Sequence, residues 1–211
     1  MLFRSLNVSE LRSDNPYQKT FIEAAKQVGY PLNDDFNGAE QEGLGVYQVT
    51  QKNGERWSTA RGYLVPHLGK RPNLHVVTQA SVSKIVIEND RAVGVEYKHK
   101  GQRLTIQVNK EVLLSAGAFQ SPQILMLSGI GPRQELEKHG IPVVKDLAGV
   151  GENLHDHPDF IFAYKTKHID GTFGVSVGGS LDLVKQIGRY RKERRGLITT
   201  NYAECGGFLK S

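Results

Sequence analysis

Residues 111–131 read Glu-Val-Leu-Leu-Ser-Ala-Gly-Ala-Phe-Gln-Ser-Pro-Gln-Ile-Leu-Met-Leu-Ser-Gly-Ile-Gly, and this stretch decides the fold class. The apolar run in 111–116 does not alternate with polar residues, which predicts a strand that is buried on both faces. Small residues follow at 115–118, and Ser121-Pro122 then begins a helix that is apolar all round. In open α/β sheets, ligands bind just beyond the carboxyl ends of such strands. The residues alone leave two interpretations open, a nucleotide site or tight strand–helix packing.

An antiparallel meander is predicted before this stretch. Residues 82–88, 92–99 and 104–108 mix β-branched with polar residues, and Asn89-Asp90 and Lys100-Gly101 supply the turns between them. A further strand is expected at 74–78. Together with the run at 111–131, the meander indicates a mixed α/β (α+β) fold.

Three more helices are predicted from their end signals. The first has Asn15 as N-cap and ends at Gly29, and the second lies between residues 132 and 140. The third begins at Ser180, and its apolar residues Leu181, Val184, Ile187 and Tyr190 share one face. Residues 31–45 read as a loop, and 160–166 as a strand.

Composition and charge limit the classes of protein to which this chain can belong. The 211 residues carry a formal net charge of +5, and the excess comes from one segment, 185–196, which holds six basic residues and one acid. Because that segment lacks a basic–aromatic alternation, we interpret it as a solvated helix face, or as one that another part of a larger protein covers, and expect no nucleic-acid partner. No apolar run is long enough for a transmembrane helix. The single Cys205 favours a reducing, cytoplasmic location.

One motif resembles a known family. The pattern Gly-Ala-x-x-Ser-Pro-x-Ile-Leu-x-x-Ser-Gly-Ile-Gly at 117–131 is similar to the second signature of the glucose–methanol–choline (GMC) oxidoreductases. Flanking segments resemble the same family in the same order: Asp-Phe-Asn-Gly at 35–38, Lys-Asn-Gly-Glu-Arg-Trp-Ser at 52–58, Arg-Pro-Asn-Leu at 71–74, Ala-Val-Gly-Val-Glu at 92–96, and Gly-Val-Gly-Glu-Asn-Leu-His-Asp-His-Pro at 149–158. The choline dehydrogenase-like branch is the most similar.

The resemblance implies FAD as cofactor and an alcohol, choline or another primary alcohol, as substrate, with an electron acceptor as partner. It places Val82 at the adenine end of FAD and Ala116 and Gly117 behind the ADP half. It assigns no catalytic residue, because no residue of this chain matches the family's catalytic histidine, and no Gly-x-Gly-x-x-Gly loop is present. The chain therefore reads as an internal fragment, inactive alone, and a truncated remnant without flavin is the alternative.

The same resemblance divides the chain into parts. Residues 1–65 are expected to be split between an FAD domain and a substrate domain. Residues 66–148 correspond to the later part of a doubly wound FAD-binding domain that includes the meander, and 149–211 to the start of the substrate domain.

Three other motifs suggest different functions, and each lacks a necessary part. The glycine pairs Gly129/Gly131 and Gly149/Gly151 do not complete a dinucleotide fingerprint, because positions 134 and 154 are Gln and Leu. The run His-Asp-His-Pro-Asp at 155–159 resembles a metal cluster but has no second ligand group nearby in sequence. Ser176 lies in a Gly-x-Ser-x-Gly pattern typical of serine hydrolases. All seven histidines precede it, so no base follows in the order that such hydrolases use.

We therefore expect the substitution Ser176→Ala to leave any background esterase activity unchanged. Hydrolysis of p-nitrophenyl esters by the wild-type chain and by the variant measures this. A serine-dependent activity that the substitution abolishes would establish the hydrolase interpretation instead.

Overall fold

The computed structural model describes residues 6–159 and 177–210. The chain forms two compact units, one of Met1–Leu74 with Ala163–Ser211 and the other of His75–Phe162. Each unit is described here by itself, as unit 1 and unit 2.

The helices and strands follow the chain in this order: α1 (Pro16–Val28), β1 (Gly43–Val46), β2 (Gln51–Lys52), β3 (Glu55–Arg56), β4 (Ala80–Glu88), β5 (Arg91–His99), β6 (Gln102–Gln107), α2 (Gln120–Leu127), β7 (Ile130–Gly131), α3 (Arg133–Lys138), β8 (Lys145–Asp146), α4 (Val177–Glu193) and β9 (Cys205–Phe208). Short turns of helix lie at Ala60–Leu64, Val65–His67 and Leu197–Thr199. No helix in the described ranges combines the length and the apolar character that crossing a bilayer requires.

In unit 1, α1 has the ends that the sequence predicts. The Asn15 side chain accepts a hydrogen bond from the Tyr17 N–H at 3.1 Å, and Pro16 occupies the first turn, where its missing N–H costs nothing. Gly29 ends the helix at φ 85°, a left-handed conformation that favours glycine. This helix prediction is confirmed.

A long-range strand pair closes unit 1. Strands β1 and β9 are antiparallel, with Gly43 opposite Phe208 and Val46 opposite Cys205. The ring of Phe36 packs against Phe208, with 5.6 Å between centroids. The prediction of a loop across 31–45 missed β1, because its partner lies more than 150 residues away and a Gly-rich strand gives no hydrophobic alternation.

Helix α4 contacts the rest of unit 1 through its polar face. The Gln186 side chain accepts a hydrogen bond from the Leu197 N–H at 3.2 Å, and Arg189 donates to Asp14. The apolar face points outward, and Leu181 and Val184 are 62% and 66% exposed. The helix is confirmed, but the predicted start at Ser180 is wrong, because Val177 is already helical.

Asp14 joins the N-terminal segment to the end of α4. Its carboxylate accepts hydrogen bonds from the Arg189 and Arg195 guanidinium groups, each at 2.5 Å for the nearest pair of atoms. The hydrogen bond from Arg195 is the main reason that the pKa of Asp14 lies below its ordinary value, and the positive charges of both arginines add to it.

In unit 2, the meander is confirmed. Strands β4, β5 and β6 are antiparallel and adjacent in that order. Asn89 and Asp90 have φ of 49° and 60°, as the tight turns between such strands require. Val82 pairs with Tyr97 and Lys84 with Glu96, so Ser83 is an extra residue that forms a bulge in β4.

Two predicted strands are wrong. Residues 74–78 contain no strand, and 111–116 form no strand pairs within the described chain. Leu113 is 82% exposed, so this segment is not buried on both faces. An apolar run without alternation is typical of a strand in the middle of a sheet that is covered on both faces. The described residues include no strand that pairs with this segment.

After α2, the chain forms a small two-stranded parallel sheet. Strands β7 and β8 pair in parallel, with Ile130 opposite Lys145, and α3 connects them. Leu136 of α3 is 1% exposed and forms the core of this region. Helix α2 itself is less buried than predicted, since only Ile124 is fully buried among its residues.

Taken together, helices and mostly antiparallel sheets give the mixed α/β class that the sequence predicts. The assignment of residues 1–65, 66–148 and 149–211 to parts of an FAD domain and a substrate domain stays a prediction.

The Asp14 contacts predict a pH-dependent stability of unit 1. Because the folded-state pKa is lowered, the stabilisation is fully present above the unfolded pKa and is lost as pH falls through the folded pKa. We expect Asp14→Asn to lower the free energy of unfolding by about 1 kcal/mol at neutral pH, a value limited by solvent screening. The difference from wild type should vanish in strong acid.

Urea unfolding followed by the fluorescence of Trp57, in the same unit, measures this effect. The exposed Asp34, replaced by Asn, is the matched control and should leave stability unchanged. An equal loss for both variants, or a difference that persists in acid, would contradict the interpretation.

Candidate functional site

Two of the three predicted site residues lie on one groove of unit 2. Val82 and Ala116 both line a cavity of about 870 Å³. The remaining lining residues come from the start of β4 and from α2: Gln79, Ala80, Ser81, Ser83, Gln120, Gln123, Ile124 and Leu127. The structure therefore brings together the start of the meander and the small-residue turn, and the role of these residues in binding FAD stays a prediction.

Gly117 lies next to this groove but is not among its lining residues. Its φ is 95°, and a Cβ atom built there meets no atom within 4 Å. Its carbonyl oxygen accepts a hydrogen bond from the Ser121 N–H at 3.0 Å. The position thus faces open space, and its backbone conformation favours glycine.

Helix α2 forms the floor of the groove. Gln120, Gln123, Ile124 and Leu127 have the i, i+3, i+4, i+7 spacing of a single helix face. Ile124 and Leu127 provide an apolar surface, and the two glutamine amides provide hydrogen-bonding groups. The site prediction did not include these residues, although their helical periodicity could have identified them once the turn at 116–117 was chosen.

The wall made by β4 is the edge of a sheet. In the described chain, β4 pairs with β5 on one side only, so its outer edge carries backbone groups that the sheet does not use. The Ile85 N–H is one of these, and it donates to the Ser128 hydroxyl at 2.8 Å. A sheet edge beside an apolar floor suits a flat ligand with hydrogen-bonding atoms on its rim.

The chemistry of the groove is that of binding. None of its ten lining residues has an ionisable side chain, so the groove itself offers no general acid, no general base and no charged anion clamp.

A second, larger cavity of about 1300 Å³ lies in the same unit, and the sequence did not predict it. It is lined by α2, by α3 and by residues 149–155, with apolar groups such as Met126, Leu136 and Leu154. Glu135 and His139 form an exposed pair at 3.0 Å on its border, and this contact is the main reason that the pKa of Glu135 is lowered. Gly151 has φ 84°, a left-handed conformation that favours glycine, and a Cβ atom there would also displace the terminal methyl of Met126, 2.6 Å away.

The other motifs of the sequence gain no support as sites. Ser176 lies outside the described residues. Within the described chain, no three His, Cys, Asp or Glu residues are grouped as ligands of a metal ion. At 155–157, the Asp156 carboxylate accepts a hydrogen bond from the adjacent His157 N–H at 2.8 Å.

Comparison with known proteins agrees with the resemblance. The sequence profile of the GMC oxidoreductases matches residues 2–159. An alcohol dehydrogenase [acceptor] of Pseudomonas putida is 44% identical over 211 residues, which is 98% of this chain and 37% of that protein. An oxygen-dependent choline dehydrogenase of Sinorhizobium medicae is 49% identical over 203 residues, which is 93% of this chain and 35% of that protein.

A solved structure has the same fold. A formate oxidase of Aspergillus oryzae, described in a study of FAD modification, superposes with a TM-score of 0.85 at 28% identity and covers 98% of this chain and 36% of the oxidase. The chain thus spans little more than a third of the length of the proteins it matches. Because the family profile matches well over half of the chain, and the groove lies inside the matched residues, this chain belongs to the GMC oxidoreductase family.

Proposed function

We propose that this chain is part of an FAD-dependent oxidoreductase that acts on the CH–OH group of an alcohol, choline or another primary alcohol. Within that protein, the chain supplies the groove for the ADP half of FAD. The observation that carries the proposal is the convergence of Val82 and Ala116 on one groove, although they are 34 residues apart in sequence.

The residues present fit the adenosine part of such a cofactor. An adenine ring has two apolar faces and a rim of nitrogen atoms, and the groove has an apolar floor beside an unpaired sheet edge. Gly117, which follows the lining residue Ala116, has a left-handed backbone conformation and open space where a side chain would lie. When bound, the flavin of FAD supplies the hydride acceptor, and this chain's residues contribute binding and orientation.

The names of the relatives support the substrate class. One is an alcohol dehydrogenase that uses an acceptor, and others are choline dehydrogenases described as oxygen-dependent. We propose an alcohol of this kind as substrate and an electron acceptor as second partner. In this proposal the groove contacts the ADP half of the cofactor. Its residues therefore do not determine which of these alcohols or acceptors is used.

The second candidate is that this chain is a non-catalytic remnant that binds no flavin. One observation favours it: residues 111–116 have no strand partner in the described chain, and Leu113 is exposed. Under this alternative the groove is preserved in shape but binds too weakly to retain FAD. A cytoplasmic location, proposed from the single cysteine, fits either candidate.

A chimera tests the proposed function. We expect the Pseudomonas putida alcohol dehydrogenase, with its matching segment replaced by this chain, to retain bound flavin and to reduce a dye in the presence of an alcohol. The 211-residue chain alone with added FAD should reduce no dye, since general base catalysis contributes about 10²–10⁴-fold and the groove has no base.

The visible absorbance of flavin in the purified chimera and alcohol-dependent dye reduction are the measurements. A correctly folded chimera that lacks flavin would contradict the assignment of the groove. Dye reduction by the 211-residue chain alone would contradict its role as a binding part only.

Gly117→Val in the chimera should lose flavin while the fold is retained. A residue with a Cβ atom is strained at φ 95° by about 1–2 kcal/mol, and the added side chain narrows the approach to the groove. Flavin content and the circular dichroism spectrum measure the two effects.

Gly101→Val is the matched control, since Gly101 lies in the same unit at φ 82°, also with no atom within 4 Å of an added Cβ. It should cost similar strain and keep the flavin. Equal loss of flavin in both variants would show that strain alone, and not the position of Gly117, is responsible.

A further inference from the structure

Two serine hydroxyls, that of Ser121 in α2 and that of Ser128 directly after α2, accept hydrogen bonds from the two segments that face α2 across the groove. The Ser121 hydroxyl accepts a hydrogen bond from the Ala116 N–H at 3.0 Å. The Ser128 hydroxyl accepts one from the Ile85 N–H at 2.8 Å and donates to the Ile124 carbonyl oxygen at 2.6 Å. The two serines are seven positions apart, which is close to two helical turns, so they lie on the same side of the helix axis.

These contacts differ from ordinary helix capping. A capping hydroxyl accepts an N–H from its own helix, two or three residues further on. Ser121 and Ser128 instead accept N–H groups from segments outside α2, one from the turn at Ala116 and one from β4. Ser128 is only 7% exposed, and Ile85 is also buried, so this bond is shielded from water.

Both bonded N–H groups are close to residues that define the groove. Ala116 lines it directly and precedes Gly117. Ile85 follows the bulge at Ser83, which itself follows Val82. Because both walls are bonded to one helix, the two hydroxyls set the distance of each wall from the floor.

We propose that Ser121 and Ser128 are positioning residues, which hold the walls of the groove at the spacing that the ADP half of the cofactor requires. The inference rests on the proposed function of the groove. Neither serine lines the groove, so each acts through the backbone of its partner: Ser121 through Ala116, and Ser128 through the segment of β4 that follows Val82.

Removing either hydroxyl has a specific consequence. Ser128→Ala leaves the buried Ile85 N–H without its acceptor, and Ser121→Ala releases the Ala116 N–H at the turn. We expect each loss to weaken ADP binding about five- to tenfold, which corresponds to one hydrogen bond. Ser121→Thr keeps a hydroxyl at the half-buried position and should restore the affinity.

The experiment uses the 211-residue chain and two readouts. Amide hydrogen exchange by NMR should become about tenfold faster at Ile85 in Ser128→Ala and at Ala116 in Ser121→Ala, with the Val95 amide of β5 as an unchanged reference. Titration with ADP gives the affinity of each variant. Ser58→Ala is the matched control, because the Ser58 hydroxyl also accepts a backbone N–H, from Arg61, but in unit 1.

The two readouts separate failure of this inference from failure of the proposed function. Unchanged exchange at both amides would overturn the positioning role, whatever ADP does. Faster amide exchange without a loss of ADP affinity would also overturn the positioning role. A Ser121→Thr variant that still binds ADP weakly would do the same. If the wild-type chain binds no ADP, the proposed function of the groove fails, and the ligand role of the serines fails with it.

Discussion

The hydrogen bond between the buried Ser128 hydroxyl and the Ile85 N–H is the contact on which the described site depends. It fixes α2 against the outer edge of β4, and the groove exists between these two elements. Ser128 also sits where α2 ends, directly before Gly129. Gly129 has φ 81°, and its carbonyl oxygen accepts the Val144 N–H at 2.8 Å. One short stretch therefore joins the meander, the helical floor and the parallel strands that follow.

The sequence predicted well those features that depend on local chemistry. Asn15, Pro16 and Gly29 define α1, and two turns with positive φ define the meander, because caps and turns act within a few residues. The expectation that Val82 and Ala116 lie near each other came from the family resemblance, because no periodicity relates a meander strand to a distant turn.

Other features depend on neighbours that sequence patterns do not reveal. The pairing of β1 with β9 joins segments more than 150 residues apart. The run at 111–116 has the composition of a central strand, but composition does not provide partners, and the described chain contains none for it. Helix α4 shows the same limit. Its amphipathic pattern is correct, but its polar side, through Gln186 and Arg189, is the one that contacts the rest of unit 1.

We propose that the groove between β4 and α2 binds the ADP half of FAD. Chemical-shift mapping of the isotope-labelled chain during titration with ADP tests it most directly. We expect shifts that concentrate at Val82, Ala116, Gly117 and Ile124. Shifts confined to residues 149–155 and α3, which line the other cavity of the same unit, or no saturable shifts at all, would contradict it.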